Sequence, residues 1–249
     1  MKGTITYIKD VKEQDIDIRE DTNLLLIFED EYRQPNTINI NIDENTVLNI
    51  TTYTNSKTSL SNIKINTKKN SKINHFNITL QAKKQKSIVY LETQSTYNNY
   101  TTNHSHNSNC ILENNIYHLD NNSHSNTQIK SIASNNSQIQ TSVLINIPNQ
   151  AHNSTGNQKL KGILLDEQSQ IINKPNLEIK NNDITCSHSA SITQIDEKCL
   201  FYLNTRGLDK NQALNMLIES NFHETINKIL STKQKQTIIE KLEKKKIFQ

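Results

Sequence analysis

The clearest pattern in the chain is an alternation of aliphatic and polar residues in short runs. Thr37-Ile38-Asn39-Ile40-Asn41-Ile42 has a clean period of two, and Ile63-Lys64-Ile65, Ile88-Val89-Tyr90-Leu91, Val143-Leu144-Ile145-Asn146-Ile147 and Leu177-Glu178-Ile179 are further short runs of this β-branched, aliphatic kind. Such runs predict strands, most of them with one buried face. Clusters of Asn, Ser, Thr and Lys separate them, where a βαβ sheet would need helical segments. A weak repeat runs through the same region. Asn70-Ser71-Lys72-Ile73, Asn136-Ser137-Gln138-Ile139, Gln168-Ser169-Gln170-Ile171 and Glu44-Asn45-Thr46-Val47 share an outline of small polar residues before an inward aliphatic. That outline suits a β-solenoid with rungs of about 20 residues, Asn side chains stacking as amide ladders at its corners. On periodicity alone, a β-sandwich is the alternative.

Past residue 195 the period changes to that of helices. Asp196 is placed to cap a helix through Glu197-Lys198-Cys199-Leu200-Phe201-Tyr202-Leu203, and Gly207 to end it. Asp209 caps a second helix, with Ala213, Leu214, Leu217 and Ile218 on one apolar face, and further helix is expected from about His223 to the end. The expected organisation is a short N-terminal segment over 1–22, a β-solenoid core over 23–194 and a helical domain over 195–249. The basic C-terminal turn complements a helix dipole and is too short to indicate nucleic acid.

Composition narrows the function. Hydrophobic residues make up 33% and charged residues 21% of 249, and the net charge is only +3, so the chain is expected to fold rather than stay disordered. Four glycines cannot build a dinucleotide or Walker phosphate loop. Leu24-Leu25-Leu26-Ile27-Phe28, the longest apolar run, is far short of the roughly 20 residues a membrane helix needs. The N-terminal sequence has no secretory h-region, and Cys110, Cys186 and Cys199 lie too far apart for a disulfide framework or a structural zinc site. A cytoplasmic protein with no membrane partner is expected.

Two constellations invite chemistry. His104, His106, His118 and His124 fall close together but lack helical metal-site spacing, and an exposed Asn/His-rich loop is the expectation for them. Cys186-Ser187-His188 is sharper: on a strand, positions i and i+2 put thiol and imidazole on one face, where both can hold a borderline metal. The adjacent acids Asp166-Glu167 and Asp196-Glu197 read as loop and cap residues. A carbohydrate-active β-helix enzyme is the rival of a different class, and the absence of Trp and of clustered acids counts against it.

From Pro175 to Phe222 the chain resembles a known family. Pro175-Asn176-Leu177-Glu178-Ile179, Asn182-Asp183-Ile184-Thr185-Cys186-Ser187-His188-Ser189-Ala190, Asp196-Glu197, Phe201-Tyr202-Leu203 and Arg206-Gly207 follow in the order of the C-terminal signature of the SufB/SufD proteins of iron–sulfur cluster assembly. The strand through Ile147, a turn at Gly156, the Leu164-Leu165 pair and His124 extend the likeness. The resemblance implies a mainly β protein, a right-handed parallel β-helix flanked by helices, with the family's N-terminal helical domain missing or reduced. Ser189 stands where the SufB branch has an acid and Leu160 where it has a cysteine, so the Cys-Ser-His form points to the SufD branch rather than to a SufB-like scaffold that holds a cluster itself. It implies a non-catalytic subunit that pairs with a SufB-like protein and binds a SufC-like ABC ATPase, with a homodimer left open in isolation. His188 would then be a transient iron or cluster ligand and Cys186 a nearby interface thiol. Arg206, Leu214, Leu217 and Ile218 would lie on the ATPase contact, and no cofactor would be stably bound.

Overall fold

The computed structural model describes residues 4–9 (as backbone), 13–29 and 36–245. Among them, fifteen strands precede three helices: β1 (Thr4–Lys9), β2 (Glu13–Ile18), β3 (Thr22–Phe28), β4 (Asn36–Ile42), β5 (Val47–Asn55), β6 (Leu60–Thr67), β7 (Lys72–Gln81), β8 (Lys84–Leu91), β9 (Thr96–His106), β10 (Asn109–His118), β11 (His124–Ser134), β12 (Gln138–Ile147), β13 (Ser154–Leu164), β14 (Gln170–Ile179), β15 (Ile184–Gln194), then α1 (Glu197–Thr205), α2 (Lys210–Ile226) and α3 (Thr232–Lys244). The strands alternate between two parallel sheets: odd-numbered strands form one of eight, even-numbered strands one of seven, each in rising order. This is a parallel β-helix in which each turn gives one strand to each sheet.

Two expectations on extent are corrected. Strands β1 and β2 pair with β3 and β4, so sheet structure begins well inside the stretch read as a short N-terminal segment. The first three residues and the last four lie outside the described residues. The first turn, from β1 to β3, spaces its partners 18 residues apart, but later rungs are longer than the expected 20: ladder partners sit 24–26 residues apart in the next turns and 30–32 apart in the late ones. Two strands of six to eleven residues plus two corners need that length.

Asparagine builds the corners. Asn45, Asn70, Asn122 and Asn153 all have φ between 50° and 60°, in the left-handed region that Asn tolerates better than other side chains. Gln94 takes the same place in the intervening turn. Each of these backbone N–H groups donates to the carbonyl of the next turn, as from Asn45 to Lys69 and from Asn70 to Thr93. Their amides stack as expected, Asn70 Nδ2 donating to Asn45 Oδ1 at 2.7 Å and Asn153 to Asn122 at 2.6 Å. A second ladder climbs through Asn23, Asn49, Asn74 and Asn98. A chain with four glycines can therefore turn its corners. In the repeat, register pairs Val47 with Lys72 and Leu48 with Ile73, so Leu48 rather than Val47 is the inward aliphatic.

Inside the solenoid the alternating positions bury Leu24, Leu26, Ile38, Ile40, Ile42, Leu48, Ile50, Ile65, Ile73, Val89, Ile116, Ile145 and Ile147. The odd-numbered sheet buries its outer face as well. Leu25, Ile27, Tyr53, Phe76, Ile78 and Ile132 pack there against Ile218, Phe222, Ile226, Ile229, Ile238 and Leu242 of the C-terminal segment. The unbroken run Leu24–Phe28 is thus a strand buried on both sides. Polar contacts pin the helices: Thr225 of α2 pairs with Thr102 at 2.8 Å, Gln234 of α3 accepts from Thr51 at 2.9 Å, and Lys130 pairs with Glu224.

Asp196 caps α1, and Gly207 follows its end at φ +91°. Asp209 and Gln212 form a capping box on α2. The last helical run differs from expectation: α2 continues to Ile226 and a separate α3 begins after the N-cap Ser231. Gly156 lies within β13 rather than at a turn. A Cβ there would come 2.9 Å from Ile145 Cγ2 and 3.2 Å from Cys186 Sγ, so glycine is required by close approach.

Candidate functional site at the open end of the solenoid

Strands β14 and β15 are the last in their sheets, so one edge of each is unpaired. Almost all of β15 is exposed, in contrast with the alternating burial of β12 and β13. Pro175, which cannot donate to a ladder, is accommodated on β14 because that strand is an edge. The end of the solenoid is therefore a surface of unpaired backbone groups and of inward-facing side chains with no further turn above them.

Cys186 and His188 both belong to this end. They occupy i and i+2 on β15, in register with Gly156 and Gln158 of β13, and so share the inward face with Cα atoms about 7 Å apart. Cys186 is half-buried, packs against the end of the core and lies over Gly156. Burial raises its thiol pKa, with the Gly156 backbone hydrogen bond acting the other way, so at neutral pH it is a thiol. His188 is exposed. Ser187 points to the other face and donates to Asn157 Oδ1 at 2.7 Å. The arrangement places one imidazole and one soft sulfur together at an uncovered sheet end, two side chains of the kinds that can coordinate a borderline metal.

The other residues named from the sequence lie on the C-terminal helices. Arg206 is exposed and stacks its guanidinium over the Tyr202 ring at 5.2 Å. Leu214 and Leu217 are half-buried. Ile218 is 7% exposed and faces the sheet, so it supports the helix from beneath. Sequence reasoning missed the apolar surface around them: Phe201 is 70%, Tyr202 55% and Met216 53% exposed. Their exposure depends on which side of each helix meets the sheet.

The histidine cluster is not an exposed loop. His104 and His106 lie on β9 and share the Ser134 hydroxyl at 3.0 Å each, on the wall of a cleft of about 770 Å³ beside α2. His118 is buried between Ser123 (2.7 Å) and Ser125 (2.9 Å), and His124 pairs with Thr155 at 2.9 Å. Burial lowers the His104 and His118 pKa values to about 4, and the neighbouring imidazoles His106 and His124 add to the effect. Among the described residues no group of three or more His, Cys, Asp or Glu is arranged to hold a metal ion. The paired acids are structural: Asp166 accepts from the backbone of Asn135, Gln168 and Ser169, and Asp196 caps α1.

A family model described as "SUF system FeS cluster assembly, SufBD core domain" matches residues 15–221. The chain belongs to the SufBD family. Among curated proteins, it is 33% identical over 115 residues to an iron–sulfur cluster assembly SufBD family protein of Mycobacterium leprae, covering 46% of this chain and 13% of that protein. It is 35% identical over 75 residues to the iron–sulfur cluster assembly protein SufD of Escherichia coli, covering 30% and 18%. A SufBD family protein of Synechocystis is 31% identical over 83 residues, covering 33% and 18%. Each aligned segment spans less than a fifth of the relative's length. The expected likeness to the SufB/SufD proteins is thus shown at the level of the family, and the SufBD match takes in β3 to β15 and α1. Among the described residues, no helix is long and apolar enough to cross a membrane.

Proposed function

We propose that this SufBD-family chain is the SufD-type subunit of a SUF complex that assembles iron–sulfur clusters. The observation that carries the reading is the uncovered end of the β-helix, where β15 presents His188 beside the thiol of Cys186. Ser189 and Leu160, where the SufB branch has an acid and a cysteine, favour the SufD branch; Leu160 is buried core. A SufB-like partner pairs with this end and supplies the missing ligands, so the cluster is shared cargo rather than a resident cofactor. His188 gives an imidazole nitrogen to iron. Cys186 gives a thiolate only once metal has taken its proton's place, which suits a site that must release what it builds.

A SufC-like ABC ATPase docks on the exposed surface of α1 and α2, with Arg206, Tyr202, Phe201, Leu214 and Leu217 in contact and Ile218 as their support. The chain itself is non-catalytic and cytoplasmic, and energy enters through the ATPase. Co-expression with SufB- and SufC-like proteins of the same source, followed by purification and mass measurement, tests the reading. One copy of this chain with one SufB-like and two SufC-like subunits is expected; elution of this chain alone would refute it. In the complex, His188→Ala is expected to leave assembly intact and lower cluster formation. An iron–sulfur absorbance held by the isolated chain would favour a SufB-like scaffold instead.

A further inference from the structure

Register along the odd-numbered sheet stacks His75, Asn99, Thr127, Gln158 and His188 in one inward column, one residue per turn from β7 to β15. Four are buried in the solenoid, and His188 closes the column at its open end. Gln158 is 3% exposed, and its amide is oriented by one firm contact: Nε2 donates to the Asn176 carbonyl at 2.9 Å. The other end, Oε1, is buried without a donor, and so is the Thr127 hydroxyl one turn below. Neighbouring parallel strands lie about 4.8 Å apart, so register puts Thr127 one strand below Gln158 and His188 one strand above it.

We infer that Gln158 is the positioning residue of His188. A carbonyl oxygen accepts, and the unpartnered Oε1 has lone pairs open to a ring N–H of His188. The His188 side chain is exposed, and the bond forms when its ring turns onto that oxygen. That bond fixes the imidazole as one neutral tautomer and turns the lone pair of its other nitrogen toward the open end, as outer-shell carbonyls do for metal-binding histidines. The purpose of this arrangement rests on the proposed role of His188, whereas its test does not.

The test is the tautomer of His188 in the isolated full chain, read from long-range ¹H–¹⁵N couplings of ¹⁵N-labelled histidine above pH 8, with no metal or partner present. His188→Gln assigns the signal. The wild type is expected to show a single dominant tautomer, Gln158→Leu the mixture of a free imidazole, and Gln158→Glu, which keeps an acceptor, the single tautomer again. A free-imidazole mixture in the wild type, or an unchanged tautomer in a folded Gln158→Leu, would overturn the inference. Should Gln158→Leu fail to fold, the wild-type and Gln158→Glu spectra still decide it: a free-imidazole mixture in either refutes the bond. Cluster formation is scored separately. A fixed tautomer together with full activity of His188→Ala would remove the proposed function and leave the hydrogen bond standing.

Discussion

Acid should unfold this protein through its buried histidines, and His75 allows the effect to be worked out. The ring is fully buried, with Nε2 at 3.2 Å from Thr52 Oγ1 and Nδ1 at 3.2 Å from the Tyr97 hydroxyl. Desolvation lowers its pKa from 6.5 to about 4. Between those values the unfolded chain binds a proton that the folded chain refuses, so stability rises with pH and is lost as pH falls from 6.5 toward 4. A shift of that size is worth about 3 kcal/mol when complete and about 2 kcal/mol at pH 5. The assay is urea unfolding followed by far-ultraviolet circular dichroism at pH 7 and pH 5, since the chain has no Trp to report by fluorescence. His75→Gln keeps a polar side chain of similar reach and removes the titration. Its stability at pH 7 can move either way, and the quantity compared is the loss between the two pH values. That loss should be smaller than the wild-type loss by about 2 kcal/mol. Equal losses would show that His75 is protonated as readily in the folded chain as in the unfolded one, and the burial argument would fail.

Three further outcomes follow from the packing. Gly156→Ala places a methyl against Ile145 and the Cys186 sulfur, so it should cost about 1–3 kcal/mol and speed thiol labelling of Cys186 in a Cys199→Ser background; unchanged melting and labelling would refute the close approach. At the corner residue Asn70, with φ 57°, Asn70→Gly should be more stable than Asn70→Ala by about 1 kcal/mol, because both lose the amide ladder and only alanine keeps a Cβ clash; equal stability would count against a left-handed corner. Phe222→Ala should cost about 3–5 kcal/mol and expose the outer face of the odd-numbered sheet, seen as binding of a hydrophobic dye; a loss under 1 kcal/mol would mean that α2 does not close that core.

Which parts of the candidate site could be read in advance follows from the range of each signal. The shared face of Cys186 and His188 needs only the two-residue period of a strand, and the caps Asp196 and Asp209 need only local hydrogen bonds, so both are legible in sequence. Gln158 carries no local signal, because its place beneath His188 is set by a pairing 30 residues long. The histidines mislead for a similar reason. Polar neighbours suggest solvent, yet His118 is buried by the turn that brings Ser123 and Ser125 to it.

The sequence by itself determined the strand-rich core and the helical C-terminal segment, since period and capping act over a few residues; period alone left solenoid and sandwich both open, and the family resemblance favoured the solenoid. Tertiary structure alone decided the length of a rung, which depends on where each strand finds its partner. It also decided the fate of Leu24–Phe28. A run buried on both faces has no period to read, and only the docking of α2 and α3 shows that Leu24 and Leu26 face the solenoid interior while Leu25 and Ile27 face the helices.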